Sequence, residues 1–264
     1  MSVQITDLRP TTTQTHDVGG FSRITLRGLG TVEFVQGDRE GVEVEAPANL
    51  HEHIKVRVDG DTLTVGLFDT ALHLTTRGSF TLRFRVYGRS LRALESSGAG
   101  KIRTNHVQTD RLSVRCSGAG KIALGTVEAT ELTLEISGAG KLTADDVRSD
   151  TVQVSLHGAG KITADSLHAE RFAASLSGAG RVTASGTADT ADLSISGAGT
   201  MDLVKLRSRT ARATLSGVGK AYVYASDALD AHVSGMGRIE YAGRPHDVRQ
   251  SSSGFGKVVA STDS

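Results

Sequence analysis

Lys141 follows a glycine pair in Ile-Ser-Gly-Ala-Gly-Lys-Leu-Thr-Ala-Asp, residues 136–145, and a lysine behind glycines is a residue type that grips nucleotide phosphates. A phosphate loop, however, needs G-x-x-x-x-G-K-[ST], with a hydroxyl for Mg²⁺ and a helix opening behind it. Here Lys141 is followed by Leu142, and residues 142–154 keep returning to two-residue alternation with no helical stripe. The element also recurs along most of the chain, whereas a catalytic loop normally occurs once. These three points argue against a nucleotide site.

The recurrence creates another constellation. The residue after each copy is Lys101, Lys121, Lys141, Lys161, Arg181, Thr200, Lys220, Arg238 or Lys257. If the copies stack as strands, neighbours sit ~4.8 Å apart. Like charges at that spacing repel by about 0.9 kcal/mol even in water. Two readings are open. One is a linear cationic stripe for a polyanion: an acidic polysaccharide, a teichoic-type envelope polymer or lipid head groups. The other is a solvated face that keeps a sheet soluble. Nucleic acid is disfavoured, because the basic residues have no interleaved aromatics for base stacking.

Carboxylates offer a second possibility. Asp145 and Asp146 are followed twenty residues later by Asp165, so Asp145 and Asp165 share a repeat position. At ~5 Å their carboxyls would have the separation used by retaining glycosidases. Yet Asn105, Gly125 and Ser185 occupy that position in other copies, and Asp is a common turn residue. A Ca²⁺ site needs six or more oxygens, which the cluster does not supply. His106, His157, His168, His232 and His246 fall at different repeat positions, so none is marked as a base, and no metal-ligand set or cofactor motif emerges. Cys116 falls at an apolar repeat position, which disfavours a nucleophilic thiol there. The sequence therefore nominates no catalytic residue.

What must position the basic residues is the repeat itself. Paired glycines fall at Gly98/Gly100, Gly118/Gly120, Gly138/Gly140, Gly158/Gly160, Gly178/Gly180, Gly197/Gly199, Gly217/Gly219, Gly235/Gly237 and Gly254/Gly256. The steps are 18 to 20 residues, a solenoid period. Between glycines the pattern alternates: Leu132, Leu134 and Ile136 point one way, Thr133, Glu135 and Ser137 the other. Strands with one buried face, one turn per ~20 residues, make a parallel β-helix. Two residues before seven of the nine pairs stand Cys116, Ile136, Leu156, Leu176, Ile195, Leu215 and Val233. Two residues after it stand Ile102, Ile122, Leu142, Ile162, Val182, Met201, Ala221, Ile239 and Val258. These are the expected core ladders, and Val107, Val127, Val147 and Leu167 mark a further corner. The glycine pairs turn the chain at corners where backbone must bend sharply or approach closely. Ser97, Ser117, Ser137, Ser177, Ser196, Ser216, Ser234 and Ser253 precede corners and are expected to bond local backbone.

The first 95 residues read differently. Residues 28–37, GLGTVEFVQG, look like a degenerate coil. Strand pairs follow at 41–46, 53–68 and 79–88, with Asp59-Gly60 as a hairpin signal. A mainly antiparallel head of this kind would cap the open solenoid end. The division is thus an extension over 1–18, a β-rich section with a degenerate coil over 19–95, nine coils over 96–259 and a tail over 260–264. Toward the C-terminus the corner residue becomes Val218, Met236 and Phe255, and a C-terminal cap is the favoured role for that bulk over a self-association surface.

Composition sets outer bounds. A net charge of +1 gives no global pull toward nucleic acid, and one cysteine excludes an internal disulfide framework. No run of ~18 apolar residues exists, so no transmembrane helix is expected. Residues 1–20 show no basic-then-apolar signal pattern, which leaves a cytoplasmic address or export with a leader removed or never included in this sequence.

The SGAGKI-like corners, the opening FSRITLRGLGTVEFVQG, the VDGDTLTV hairpin and the late IEYAGRPHDV before SGFGKV together resemble the putative auto-transporter adhesin, head GIN domain family. The resemblance spans about residues 19–259. It implies a right-handed β-helix, often exported or envelope-associated in bacteria, and brings no catalytic residues. Three functions follow in order: a non-enzymatic binding or adhesion module presenting an elongated face to a polymer or surface, a self-associating structural scaffold (a homo-oligomer), and a polysaccharide-active enzyme.

Overall fold

Alternating apolar residues between glycine corners wind this chain into a single β-solenoid of about eight turns. The computed structural model describes residues 3–5, 8–67, 72–74 and 80–261. Phe68 and Ser79, at the ends of two expected strands, lie outside these, as do parts of the extension and the tail. The first ten strands are β1 (Val3–Ile5), β2 (Thr11–His16), β3 (Arg23–Gly28), β4 (Thr31–Gln36), β5 (Gly41–Pro47), β6 (Ile54–Asp59), β7 (Thr62–Leu67), β8 (Leu72–Leu74), β9 (Arg83–Gly88) and β10 (Ala93–Gly98). Then come the coils proper: β11 (Lys101–Gly118), β12 (Lys121–Gly138), β13 (Lys141–Gly158), β14 (Lys161–Gly178), β15 (Arg181–Gly197) and β16 (Thr200–Gly217). The chain closes with β17 (Lys220–Tyr224), β18 (Ala228–Gly235), β19 (Arg238–Ala242), β20 (Asp247–Gly254) and β21 (Lys257–Ala260). No helix among the described residues is long and apolar enough to cross a membrane.

Each full coil has three sides. In β11 and β12, residues 101–104, 106–109 and 111–118 pair in parallel register with 121–124, 126–129 and 131–138, and pairing skips residues 105 and 110, where the chain bends. The third bend is the glycine corner. Ile102, Val107, Leu112, Val114 and Cys116 point into the core, each at most 1% exposed. The Val107 column was expected at a corner. Instead Val107, Val127, Val147 and Leu167 sit on the short second side, paired in succession, because the bends fall at 105 and 110 on either side of them.

Irregular coil lengths are absorbed at bends away from the corner. Between Gly178 and Gly197 the coil loses one residue, and the register shifts so that Leu167 pairs with Gly186. Gly186 has φ +125°, and a Cβ there would run into the Leu167 carbonyl oxygen, so only glycine closes the shortened bend. In the 18-residue coil, Ala225, Ser226 and Asp227 replace the second side, and the Asp227 carbonyl accepts from His246 N and Asp247 N.

The antiparallel head is present: β2 pairs with β5, β5 with β9 and β6 with β7. The β6–β7 hairpin turns at Gly60, φ +59°. The head also contains two solenoid coils in non-sequential order. β3 pairs in parallel with both β7 and β10, and β4 with both β9 and β11. The coil made by β3 and β4 is therefore sandwiched between a later coil, β7 and β9, and the start of the regular repeat. Gly28 pairs with Gly98, so the degenerate corner continues the glycine column. Antiparallel β5 and β6 then cover the outermost coil, satisfying strand groups that an open solenoid end would leave unpaired.

The other end is finished by composition. Leu229, Ala231 and Val233 of β18 are buried, while their partners in β20 are Val248, Gln250 and Ser252, all exposed. Polar residues at two of three core positions of the last coil remove the apolar face that a further coil would need.

Candidate functional site

The first side of the solenoid carries the basic column on its outer face. Residues 101, 121, 141, 161, 181, 200, 220, 238 and 257 pair one with the next through consecutive coils. All except Thr200 are exposed. This register follows from the corner: the backbone N–H of Lys121 donates to Gly100 O at 3.0 Å, that of Lys141 to Gly120 O and that of Lys161 to Gly140 O at the same distance. Every basic residue thereby starts its side at the same point.

The glycines fix that point in two ways, one for each member of the pair. The first has positive φ: at Gly178, φ is +123° and an added Cβ would lie 2.5 Å from the Gly158 carbonyl oxygen. The second departs from the role of a turning residue, because it lacks a left-handed φ; close approach alone requires it. At Gly180 a Cβ would meet Leu156 Cδ2 at 2.6 Å and Gly160 O at 2.7 Å. Gly199, Gly219, Gly237 and Gly256 repeat this pattern in the later coils. A Cβ on them would lie 2.8, 2.7, 2.8 and 3.0 Å from the carbonyl oxygens of Gly180, Gly199, Gly219 and Gly237 in turn. All four are buried, so the second glycine column is a packing seam between coils and not a set of sharp bends. Spacing in the sequence marks both members equally, and only the backbone separates their roles.

The serine column does not bond local backbone as expected. Its strand amides are already paired across coils, and among the residues of that column preceding Gly98 to Gly235 the side-chain bond found joins Ser177 Oγ to His157 Nδ1 at 2.7 Å.

The charge balance differs between faces. On the third side, arginines are neutralised by carboxylates one coil on: Arg111–Glu131 at 3.2 Å, Arg115–Glu135 at 3.0 Å and Arg212–Asp230 at 3.4 Å. In the basic column Arg238 is paired to Glu240 at 3.1 Å. Lys101, Lys121, Lys141, Lys161, Arg181, Lys220 and Lys257 have no ion-pair partner among the described residues.

Two features of this face were missed from sequence. The column runs on into the head, where Lys101 pairs with Thr31 and Thr31 with Arg83. Arg83 is itself held by Glu45 at 2.9 Å and Glu33 at 3.4 Å. The second feature is a depression of about 220 Å³ lined by Lys101, Arg103, Lys121, Ala123, Lys141 and Thr143. It exists because Ala123 is short where its neighbours along the ladder, Arg103 and Thr143, are longer. Arg103 was overlooked because its place in the repeat is not basic in the later coils, whereas a dip over Ala123 follows only from cross-coil register.

Asp145 and Asp165 stand at equivalent places on the first bend, exposed and outside the paired ladder, while Asp146 is bound to Arg148 at 3.3 Å. No group of three or more His, Cys, Asp or Glu side chains that could hold a metal occurs among the described residues. His168 Nδ1 meets Thr187 Oγ1 at 2.9 Å and His232 meets Ser251, so these histidines, like His157, are engaged with hydroxyls of the next coil. Cys116 is buried, and burial pushes its thiol above the ordinary value.

The C-terminal cap expected from Val218, Met236 and Phe255 does not form. The middle residue of each corner points away from the core, so added bulk there reaches solvent: Val218 is 50% exposed, Met236 65% and Phe255 85%.

Solved structures share this architecture. A putative lipid binding protein from Parabacteroides distasonis ATCC 8503 is 22% identical, with a TM-score of 0.75 over 98% of this chain and 100% of its own. A putative adhesin from the same organism is 23% identical, with the same TM-score and the same coverage. A putative adhesin from Parabacteroides merdae ATCC 43184 is 19% identical, with a TM-score of 0.71 over 98% of this chain and 99% of its own. At such identities the likeness is one of fold. No curated protein matches the chain. The family pattern is more specific: it matches residues 20–145 and again 134–245, overlapping matches that cover eight of the nine glycine corners and most of the head. On that match, the chain belongs to the putative auto-transporter adhesin, head GIN domain family.

Proposed function

We propose that this protein is a non-enzymatic binding module that presents the outer face of its first side to an anionic polymer of a bacterial cell envelope, such as an acidic polysaccharide or a teichoic-type chain. The observation that carries the reading is the contrast between faces. Arginines of the third side are answered by carboxylates on adjacent coils, whereas Lys101, Lys121, Lys141 and Lys161 stand in consecutive rows with none. A row of like charges left unneutralised costs stability. A polymer with regularly spaced anions would offset that cost along the whole row and release its own condensed counterions. Membership in an adhesin family supports an exported or envelope address. Hydrolysis is the weaker reading, because a glycosidase acid needs a buried, raised carboxyl facing a second one, and Asp145 and Asp165 are exposed on bends. End-to-end assembly is weaker too, given Gln250 and Ser252 in the last core positions.

The test is binding to acidic and neutral polysaccharides at low and physiological salt. Salt-sensitive binding to acidic chains, lost when Lys121, Lys141 and Lys161 are changed to Ser, is the expected result. Salt-tolerant binding to a neutral glycan would move the site to another face, and no binding to either would overturn the proposal.

A further inference from the structure

The corner column carries a second, apolar surface that adjoins the C-terminal end of the basic column. The middle residue of the glycine corner is alanine at Ala99, Ala119, Ala139, Ala159, Ala179 and Ala198, so the turn itself demands no bulk. In the last three rows it becomes Val218, Met236 and Phe255, exposed by 50%, 65% and 85%. They are held in stacked rows: Val218 N donates to Gly197 O at 3.0 Å, Met236 N to Gly217 O at 2.9 Å and Phe255 N to Gly235 O at 2.9 Å. Three adjacent large apolar side chains held out in water call for a partner. Two residues beyond them, in the same rows, stand Lys220, Arg238 and Lys257, of which only Arg238 is answered by an acid among the described residues, Glu240 at 3.1 Å.

We infer that this C-terminal edge docks on an anionic lipid surface, with Phe255, Met236 and Val218 entering the interfacial layer and Lys220, Arg238 and Lys257 meeting the head-group phosphates. An apolar tip bordered by cations is the arrangement that binds such interfaces, since acyl-chain burial and attraction to anionic lipid act together. A second copy of the chain fits less well. Three side chains fall far short of the roughly 800 Å² per partner of a stable interface, and pairing would bring two cationic columns together. An added peptide strand is also disfavoured, because the corner amides are already spent on the preceding coil.

The chain has no tryptophan, so Phe255→Trp creates a single reporter at an exposed site. Its emission should shift to the blue with vesicles of phosphatidylcholine and phosphatidylglycerol, and should not shift with phosphatidylcholine alone or with an acidic polysaccharide. Vesicle co-sedimentation of the otherwise unaltered protein should fall at least about tenfold in Met236→Ser/Phe255→Ser. Acidic-polysaccharide binding by that variant should be unchanged, so failure of this inference and failure of the polymer proposal give different results. No blue shift with the anionic vesicles, or undiminished sedimentation of the double variant, would overturn the inference. So would a concentration-dependent dimer that the double variant abolishes, which would assign the edge to a second copy.

Discussion

Lys141 and Lys161 occupy the same place on consecutive coils, paired across a parallel ladder, with both side chains exposed and neither in an ion pair among the described residues. Lys121 continues the row below Lys141. Nothing in the packing of the first side requires this arrangement, because the inward residues of those rows, Ile122, Leu142 and Ile162, supply the burial. Replacing Lys121, Lys141 and Lys161 by Ser should therefore leave the fold intact and shift stability upward, by at most about 1 kcal/mol at low salt, since exposed charges are well screened. Urea denaturation at low and high ionic strength checks this: the gap between variant and parent should close as salt is added. A large loss of stability would mean that the lysine stems pack structurally.

The corners should be intolerant where the face is tolerant. At Gly178 an added methyl meets a backbone carbonyl 2.5 Å away at φ +123°, so neither a rotamer change nor a small backbone adjustment relieves it. Gly178→Ala should cost about 3 kcal/mol or more, the sum of left-handed strain and a displaced coil contact. Gly37 has no atom within 4 Å of the corresponding point and lacks the left-handed φ, so Gly37→Ala should be neutral or slightly stabilising. Thermal melts of the pair separate the two cases.

Phe172 is among the largest fully buried side chains of the solenoid, in a column where its partners are Val152 and Ala191. Its partner Ala191 is small and leaves room for the ring in a core filled mostly by Val, Ile, Leu and Ala. Phe172→Ala should destabilise by about 3–5 kcal/mol, and Phe172→Leu by clearly less. Because each coil touches mainly its neighbours, chemical denaturation of Phe172→Ala should also broaden as the coils on either side uncouple.

Cys116 gives a pH dependence with a definite sign. Burial holds its thiol protonated to higher pH in the folded chain than in the unfolded one. The folded state therefore retains a proton that the unfolded state loses. Stability should be flat below the unfolded thiol value, near about pH 8.5, and decline as pH rises from there toward the folded value. Cys116→Val should remove that portion of the decline. Thiol-alkylation rates offer a second check: slow at neutral pH in the native protein and fast after denaturation.

Much of this molecule was legible in its sequence, because a solenoid repeats one local problem. The period of the glycine pairs set the coil length, and alternation set the inward columns. Since equivalent residues of a regular repeat must stack, the basic residues were bound to form a line. Reading failed where neighbouring coils depart from the repeat. The placement of β3 and β4 between β7/β9 and β10 is a long-range pairing choice with no local signal. The Val107 column was misplaced because alternation does not reveal where a continuous strand bends, and bends at 105 and 110 decide which positions are sides.

The sequence by itself determined the architecture and the existence of a cationic row, since both depend on periodicity, a property of one dimension. Only the tertiary structure decided what that row faces and what surrounds it. Whether a basic residue is neutralised depends on side chains on the neighbouring coil, within ion-pair reach for Arg111 and Arg115 on the third side and not for Lys101, Lys121, Lys141 and Lys161 on the first. Whether Phe255 caps a core or stands in water depends on which way a glycine-flanked residue points at a corner, a matter of backbone geometry in three dimensions.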